Sequence, residues 1–189
     1  MVDIKKNLED CDALLEGHFL LTSGKHSDGY VQCAKLLMYP DVAAESLKPV
    51  VEKVKDMDID VVVGPALGGV IVSYEIARQL GVPSMFTERQ DEVMTLRRGF
   101  NLEKGTRVLI VEDVVTTGKS SLEAIEAIKE YGVEIVAIAT LVNRSGGNKI
   151  GDYPLYGSID LDIKTYEADS CPMCDAGEEI VKPGSRKKI

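Results

Sequence analysis

The stretch Val108 to Ser121, VLIVEDVVTTGKSS, constrains this chain more than any other. Four apolar residues, typical of a strand buried on both faces, run into two adjacent carboxylates and a Thr-Thr-Gly turn; Leu122, Ile125 and Ile128 then follow at helical spacing. The pattern predicts a strand over 108–111, a loop over 112–119 and a helix over 120–131. In an open α/β sheet, ligands bind at the carboxyl ends of strands, and the helix that follows turns its free N–H groups and positive end toward them. Thr116, Thr117, Gly118, Lys119 and Ser120 offer hydroxyls, consecutive backbone N–H groups and a sharp turn, which suits a phosphate. Glu112 and Asp113 would repel a phosphate laid on them, so they are expected to face sugar hydroxyls or a cation. Two acids directly after a buried strand carry a desolvation cost that calls for a ligand. Gly118-Lys119-Ser120 is not the loop of a nucleotide triphosphatase, because that motif needs a glycine five residues earlier, where Asp113 stands.

Similar units surround this stretch. Strands are predicted over 61–63, 84–87 and 135–142, with helices over 69–80 and 120–131. Such alternation implies parallel pairing and right-handed crossovers, so the loops 64–69, 112–119 and 143–147 should meet at one crevice. The fold class is therefore α/β with a mostly parallel central sheet flanked by helices. Before it come a predicted helix over 3–16 closed by Gly17, a hairpin with strands over 19–22 and 30–34, and a helix over 41–55 with Asp41 as N-cap and Pro49 as a weak point. Residues 87–107 carry many charges and few periodic apolar residues, and read as a mobile flap or an extended hairpin. One more strand is expected near 158–163, followed by a frayed tail.

With 189 residues, 44% hydrophobic and 28% charged, the chain suits one compact domain. Its core is expected over about 41–147, with a small hood from about 1–40 and 148–189. The formal net charge of −9 argues against nucleic acid or an anionic membrane as partner, so an anionic substrate must be held by local donors. The sequence has no apolar run of the roughly 18 residues that a membrane span needs, and its first residues lack the apolar centre of a signal peptide; a cytoplasmic protein is expected. Four cysteines, Cys11, Cys33, Cys171 and Cys174, do not make a disulfide framework. Cys171-Pro-Met-Cys174 is a lone CxxC, and the two histidines, His18 and His26, are far from it in sequence. Free thiols in a C-terminal loop are expected, with a metal site, including one shared between two chains, as the alternative.

VLIVEDVVTTGKS resembles the phosphoribosyl-diphosphate signature of type I phosphoribosyltransferases: an apolar strand, two acids, two apolar residues, then Thr, a small residue and Gly. The resemblance implies the fold of that family and a donor site running from Glu112 and Asp113 through Val114 and Val115 to Ser120. In it the two acids hold the ribose hydroxyls, directly or through Mg²⁺, and Thr116 to Ser120 grip the 5′-phosphate. It implies few direct protein ligands to Mg²⁺. Gly64-Pro65-Ala66-Leu67-Gly68-Gly69 resembles the family's diphosphate loop, with Ala66, Leu67, Gly68 and Gly69 at the leaving group. An aromatic-lysine pair, common in orotate enzymes, is replaced there by Leu67 and Gly68.

The acceptor is specified elsewhere. Phe19-Leu20-Leu21-Thr22-Ser23-Gly24-Lys25-His26-Ser27, followed by Tyr30, is similar to the N-terminal motif of orotate phosphoribosyltransferases, which implies that Tyr30 lies by the pyrimidine and that Lys25 and His26 sit near anionic groups. Asn143-Arg144 resembles the family's Asp-Arg, whose arginine meets the orotate carboxylate; a guanidinium pairs a carboxylate bidentately, and a neutral base would have no use for it. The flap, Glu88 to Gly99, lacks most of the usual cations. Its best match is a short subclass with an ERxxxVMxLRRGF-like flap and a CPxC tail, and Arg89, Arg97 and Arg98 are the candidates for neutralising the departing diphosphate. The resemblance implies orotate and phosphoribosyl diphosphate as substrates. A homodimer is expected, with the charged flap lying across the neighbouring site. The alternatives are a purine or uracil phosphoribosyltransferase, or a regulator that senses phosphoribosyl diphosphate without catalysis.

Overall fold

In the computed structural model, which describes residues 2–21 and 23–182, alternation along 108–111 divides the interior in two. Val108 and Ile110 join Val61, Val63, Ile125, Ile128 and Ile138 in one apolar cluster, while Leu109 and Val111 join Leu47, Val50, Val62, Val72 and Ile76 in the other. All of these are buried, the pattern of a strand covered by helices on both faces.

The chain runs α1 (Ile4–Asp10), β1 (Leu14–Leu20), β2 (His26–Val31), α2 (Ala34–Leu37), α3 (Pro40–Val54), β3 (Val61–Pro65), α4 (Gly68–Leu80), β4 (Ser84–Gln90) and β5 (Val93–Leu96). It continues through β6 (Arg107–Val115), α5 (Lys119–Lys129), β7 (Glu134–Asn143), β8 (Lys149–Ile150), β9 (Tyr153–Asp160), β10 (Thr165–Tyr166) and, after a 3₁₀ turn, α6 (Pro172–Asp175). The main sheet has the order β5-β4-β3-β6-β7-β9-β8. Its five inner strands pair in parallel, and β5 and β8 close the two edges antiparallel. Helices α3 and α4 pack on one face and α5 on the other. A second, antiparallel sheet of order β1-β2-β10 forms the hood. Because β3, β6 and β7 are parallel neighbours, the loops 64–69, 116–118 and 144–147 emerge along one edge, as the sequence predicts.

Several boundaries differ from expectation. The first helix ends at Asp10 rather than at residue 16: Asp12 takes φ 51°, and its N–H and that of Ala13 turn back to the carbonyls of Glu9 (2.9 Å) and Leu8 (2.7 Å). Residues 14–20 are then drawn into pairing with β2, so the hairpin strands start earlier than residues 19 and 30; Thr22 lies outside the described residues. Tyr39, not Asp41, holds the N-cap position of α3, with Pro40 opening the helix, and α3 continues through Pro49. The flap is an ordered β4–β5 hairpin whose turn residues Asp91 (φ 49°) and Glu92 (φ 67°) match a type I′ turn. Strand β6 continues through Val115 because β7 pairs with it from Arg107↔Glu134 to Val115↔Asn143, which places Glu112 to Val115 in the sheet and not in a loop. Although the segment from 148 is expected in the hood, β8 and β9 belong to the main sheet: β9 pairs with β7 from Ile138↔Leu155 to Asn143↔Asp160. The expected strand at 158–163 accordingly lies earlier, and the tail 183–189 is outside the described residues. Among the described residues no helix is long and apolar enough to cross a membrane.

Candidate active site

Successive residues of a strand face opposite sides, and this separates the two acids. Glu112 turns toward α5, where Ser121 Oγ donates to its Oε2 at 2.6 Å. Asp113 turns toward the start of α4, its carboxylate filling the space beside Gly68. Burial raises both carboxyl pKa values above the ordinary range. Hydrogen bonds from Ser121 and Ser120 oppose that rise at Glu112, and the backbone N–H groups of Val114 and of Asp113 itself oppose it at Asp113. The Asp113 carbonyl accepts from Thr140 Oγ1 (3.1 Å) and the Cys33 thiol (3.7 Å), which anchors the strand at the acid pair. Val114 and Val115 are sheet residues packed into the two cores, so only their backbone is available to a ligand.

Beyond Val115 the chain bends sharply. Thr116 and Thr117 are exposed, Gly118 has φ 72° and is buried, and α5 begins at Lys119. A Cβ at Gly118 would lie 2.3 Å from Ile150 Cγ2, so both backbone conformation and space demand glycine. The first N–H groups of α5 have no partner within the helix and face this bend. Lys119 Nζ lies 3.9 Å from Glu123 Oε1, one turn into α5.

Across the edge, the loop after β3 is tied by the Ala66 N–H to the Thr87 carbonyl (2.7 Å), and its Ala66–Leu67 peptide is cis. A Cβ at Gly64 would lie 2.2 Å from the Gly69 carbonyl oxygen, so this loop folds tightly on its own backbone. Leu67 is 86% exposed.

At the end of β7, Asn143 organises the third loop. Its Nδ2 donates to the Gly147 carbonyl (2.9 Å) and Asp160 Oδ1 (2.6 Å), and its Oδ1 accepts from Ser145 N (2.9 Å) and Oγ (2.8 Å). Arg144 follows, its N–H bonded to the Val115 carbonyl at 2.8 Å. Burial lowers the pKa of its guanidinium, opposed by the charge of Asp28 on β2, and its buried Nε has no hydrogen-bond partner among the described residues. Arg144, Ser145, Tyr156, Asp160 and Ile163 line a cleft of about 1110 Å³. The 116–120 and 66–69 loops do not line this cleft.

The remaining candidates divide. Lys25, at the hairpin tip, is paired with Glu167 at 2.5 Å, and Tyr30 packs on Phe19 with ring centroids 5.9 Å apart. His26, expected near an anionic group of the substrate, is 7% exposed, and its Nδ1 lies 2.9 Å from His18 Nε2 and 3.3 Å from Cys174 Sγ. The hairpin register turns it inward to meet the returning C-terminal segment. The same contacts bring the two histidines, distant in sequence, up against the CxxC. In the flap, Arg89 pairs with Glu123, and Glu88 holds Arg98 through two bonds of 2.7 and 2.9 Å and Arg97 at 3.6 Å. Arg89 and Lys119 thus share Glu123, which joins the flap to the anion loop. The sequence pattern gives no role to Ser121, Thr140 or Asp28. The repeated serine of GKSS was the only signal for Ser121, and the other two depend on strand register and on how the hood docks.

Residues 41–168 match the phosphoribosyl transferase domain family. The orotate phosphoribosyltransferase of Caldicellulosiruptor saccharolyticus is 59% identical over 180 residues, covering 95% of this chain and 94% of that one. Among solved structures, the orotate phosphoribosyltransferase of Aeropyrum pernix superposes with a TM-score of 0.68 at 26% identity, covering 84% of this chain and 93% of that one. The UMP synthase of Leishmania donovani superposes with a TM-score of 0.71 at 27% identity over 84% of this chain, which spans 36% of the length of that protein.

Proposed function

The chain belongs to the phosphoribosyltransferase family, within its orotate phosphoribosyltransferases, and from that premise we propose that it joins orotate to 5-phosphoribosyl diphosphate, releasing orotidine 5′-monophosphate and diphosphate. The observation that carries the choice of acceptor is Arg144: a partly desolvated guanidinium that lines the cleft, feels the charge of Asp28, and keeps a buried Nε with no partner among the described residues, so it can take a further anion. A planar carboxylate on the base would complete it bidentately, whereas a purine or uracil would leave it unpaired. A sensor that acts on nucleic acid would need a basic face, and the net charge of −9 offers none in bulk.

Displacement at the anomeric carbon builds positive charge on the ribose and negative charge on the departing diphosphate, so catalysis is mainly positioning and electrostatics. Thr116 to Ser120 would hold the 5′-phosphate on the first N–H groups of α5. Glu112 and Asp113 would accept from the ribose hydroxyls, their negative charge favouring the developing cation. The backbone of 66–69 would lie along the diphosphate. The carboxylate oxygens of Asp113, beside the backbone of the 66–69 loop, are of the kind that suits Mg²⁺, which would be held mainly through the substrate and would supply charge neutralisation at the leaving group. Arg89, with Arg97 or Arg98, would leave its carboxylate partner to meet the diphosphate as the flap closes. Orotate arrives as an anion, so its nitrogen needs no strong general base.

The same reading includes a single domain with a hood over its crevice, a cytoplasmic setting, and a homodimer in which the flap reaches the neighbouring site. For the dimer, the outward side of α4 supplies support: Leu67, Ile71 and Tyr74 are 86%, 48% and 69% exposed at helical spacing. Incubation with phosphoribosyl diphosphate, Mg²⁺ and a panel of bases, followed by diphosphate release, tests the reaction. Turnover is expected with orotate alone; turnover with a purine or uracil, or with no base, rejects it.

A further inference from the structure

We propose that His18, His26, Cys171 and Cys174 form a closed tetrahedral site for Zn²⁺ that clasps the C-terminal segment to the hood. Their ligand atoms, His18 Nε2, His26 Nδ1 and the two Sγ, all lie within 4.8 Å of one another. His18 Nε2 is 2.9 Å from His26 Nδ1, 3.6 Å from Cys171 Sγ and 3.8 Å from Cys174 Sγ, and Cys174 Sγ is 3.3 Å from His26 Nδ1. Metal–nitrogen bonds of about 2.0–2.1 Å and metal–sulfur bonds of about 2.3 Å give a tetrahedron with edges of roughly 3.3–3.8 Å. The three nitrogen–sulfur separations fall within that range and the nitrogen–nitrogen one is a few tenths of an ångström shorter, so a small outward shift of the two rings seats the ion.

The surroundings select the right forms of these groups. His18 Nδ1 lies 3.0 Å from the Glu178 carbonyl oxygen, which can only accept, so the ring proton sits on Nδ1 and the Nε2 lone pair points into the cluster. Metal-bound histidines are oriented in this way by an outer carbonyl. Binding one Zn²⁺ releases the two thiol protons and leaves a site of zero net charge, which suits burial: His18, His26 and Cys171 are 4%, 7% and 1% exposed. Cys174 is the exposed ligand, on the side from which an ion enters. Two sulfurs and two imidazole nitrogens in a tetrahedral array favour zinc over harder cations, and four protein ligands leave no open position for catalysis.

Position in the fold supplies the reason for a clasp. Cys171 caps α6 and Cys174 lies in its single turn, so the CxxC spacing presents both sulfurs together. The segment that carries them is held to β2 by the two-residue β10 and by the neighbouring Lys164, whose carbonyl accepts from Ser27 Oγ (3.0 Å) and whose N–H donates to Asp28 Oδ1 (2.9 Å), and to β1 by the Phe19↔Val181 bridge, with Leu20 N–H to Val181 O and Val181 N–H to His18 O both 2.8 Å. A sheet this small needs a further link. With no metal, the cluster would be a histidine pair beside two free thiols.

The test is the metal content of the full chain purified without added metal. About one zinc per chain is expected, retained through dialysis against EDTA strong enough to strip Mg²⁺. Cys174→Ala and His18→Ala should each bring zinc close to zero, and Cys11→Ser should leave it intact. Replacement by Co²⁺ should give a tetrahedral visible spectrum with thiolate charge-transfer bands, absent in Cys174→Ala. Removal of the ion from the unmutated chain should lower Tm by about 5 °C or more, which keeps the test valid if the variants fold poorly. Absence of zinc together with failure to take up one equivalent of Zn²⁺ or Co²⁺, or full retention of zinc by the Cys174→Ala variant, overturns the proposal.

Discussion

The carboxylate of Asp113 occupies the space into which a side chain at Gly68 would project: a Cβ there would lie 2.5 Å from Asp113 Cγ and 2.6 Å from both carboxylate oxygens. Through this contact the acid at the end of β6 meets the backbone of the neighbouring loop, so the ribose and diphosphate ends of the proposed site share one wall. Close approach of a carboxylate to bare backbone, under partial burial, also keeps its charge poorly solvated.

Two opposite effects should follow from Asp113→Asn. Activity should fall about 10²–10³-fold, as for loss of a positioned electrostatic contact, while the unliganded protein becomes more stable. Burial raises the Asp113 pKa, so the folded state binds its proton more tightly than the unfolded state. That contribution to stability is complete below the unfolded pKa and is lost as pH rises through the raised folded value. The Tm difference between variant and parent should therefore be small in acid and grow toward neutral pH. A variant that is less stable than its parent at neutral pH, or active within about tenfold of it, contradicts the assignment.

Gly118→Ala combines two penalties that can be separated. The φ of 72° costs about 1–2 kcal/mol for an L-residue, and the Cβ would collide with Ile150. The variant should lose stability and raise the KM for phosphoribosyl diphosphate. Adding Ile150→Ala should recover only the steric part. Full recovery in thermal melts would mean that the backbone conformation carries no cost.

Arg144→Ala should raise the KM for orotate far more than that for phosphoribosyl diphosphate, since its unpaired Nε is assigned to the base carboxylate. Arg144→Lys should not restore it, because an ammonium lacks the planar fork. Equal changes in both KM values would reject the role.

Tyr74→Glu places a charge in the exposed apolar face of α4 and should yield monomers by light scattering, against the dimer expected of the parent. If the flap serves the partner's site, mixing Arg89→Ala chains with Asp113→Asn chains should recover activity that neither has alone. A monomeric parent ends the dimer reading, and failure of mixed dimers to recover activity ends the shared flap.

The sequence by itself determined the features set by local pattern: the apolar strand before Glu112, the Thr-Thr-Gly turn, the helix after it, and the strand–helix alternation that brings three loops to one edge. Hydrophobic periodicity and turn chemistry act over a few residues, and for these elements the pattern and the fold agree. Pairing between distant segments was left to the tertiary structure. The register of β7 on β6 carried the sheet through Glu112 to Val115 and put the two acids on opposite faces, toward Ser121 and Gly68. The parallel register of β9 on β7 drew residues 153–160 out of the hood and into the main sheet. The hairpin register and the return of the C-terminal segment turned His26 inward and gathered His18, His26, Cys171 and Cys174, which are 156 positions apart at the extremes, into one cluster. No local pattern encodes that meeting, because it depends on where two sheets and a returning chain come to rest against each other.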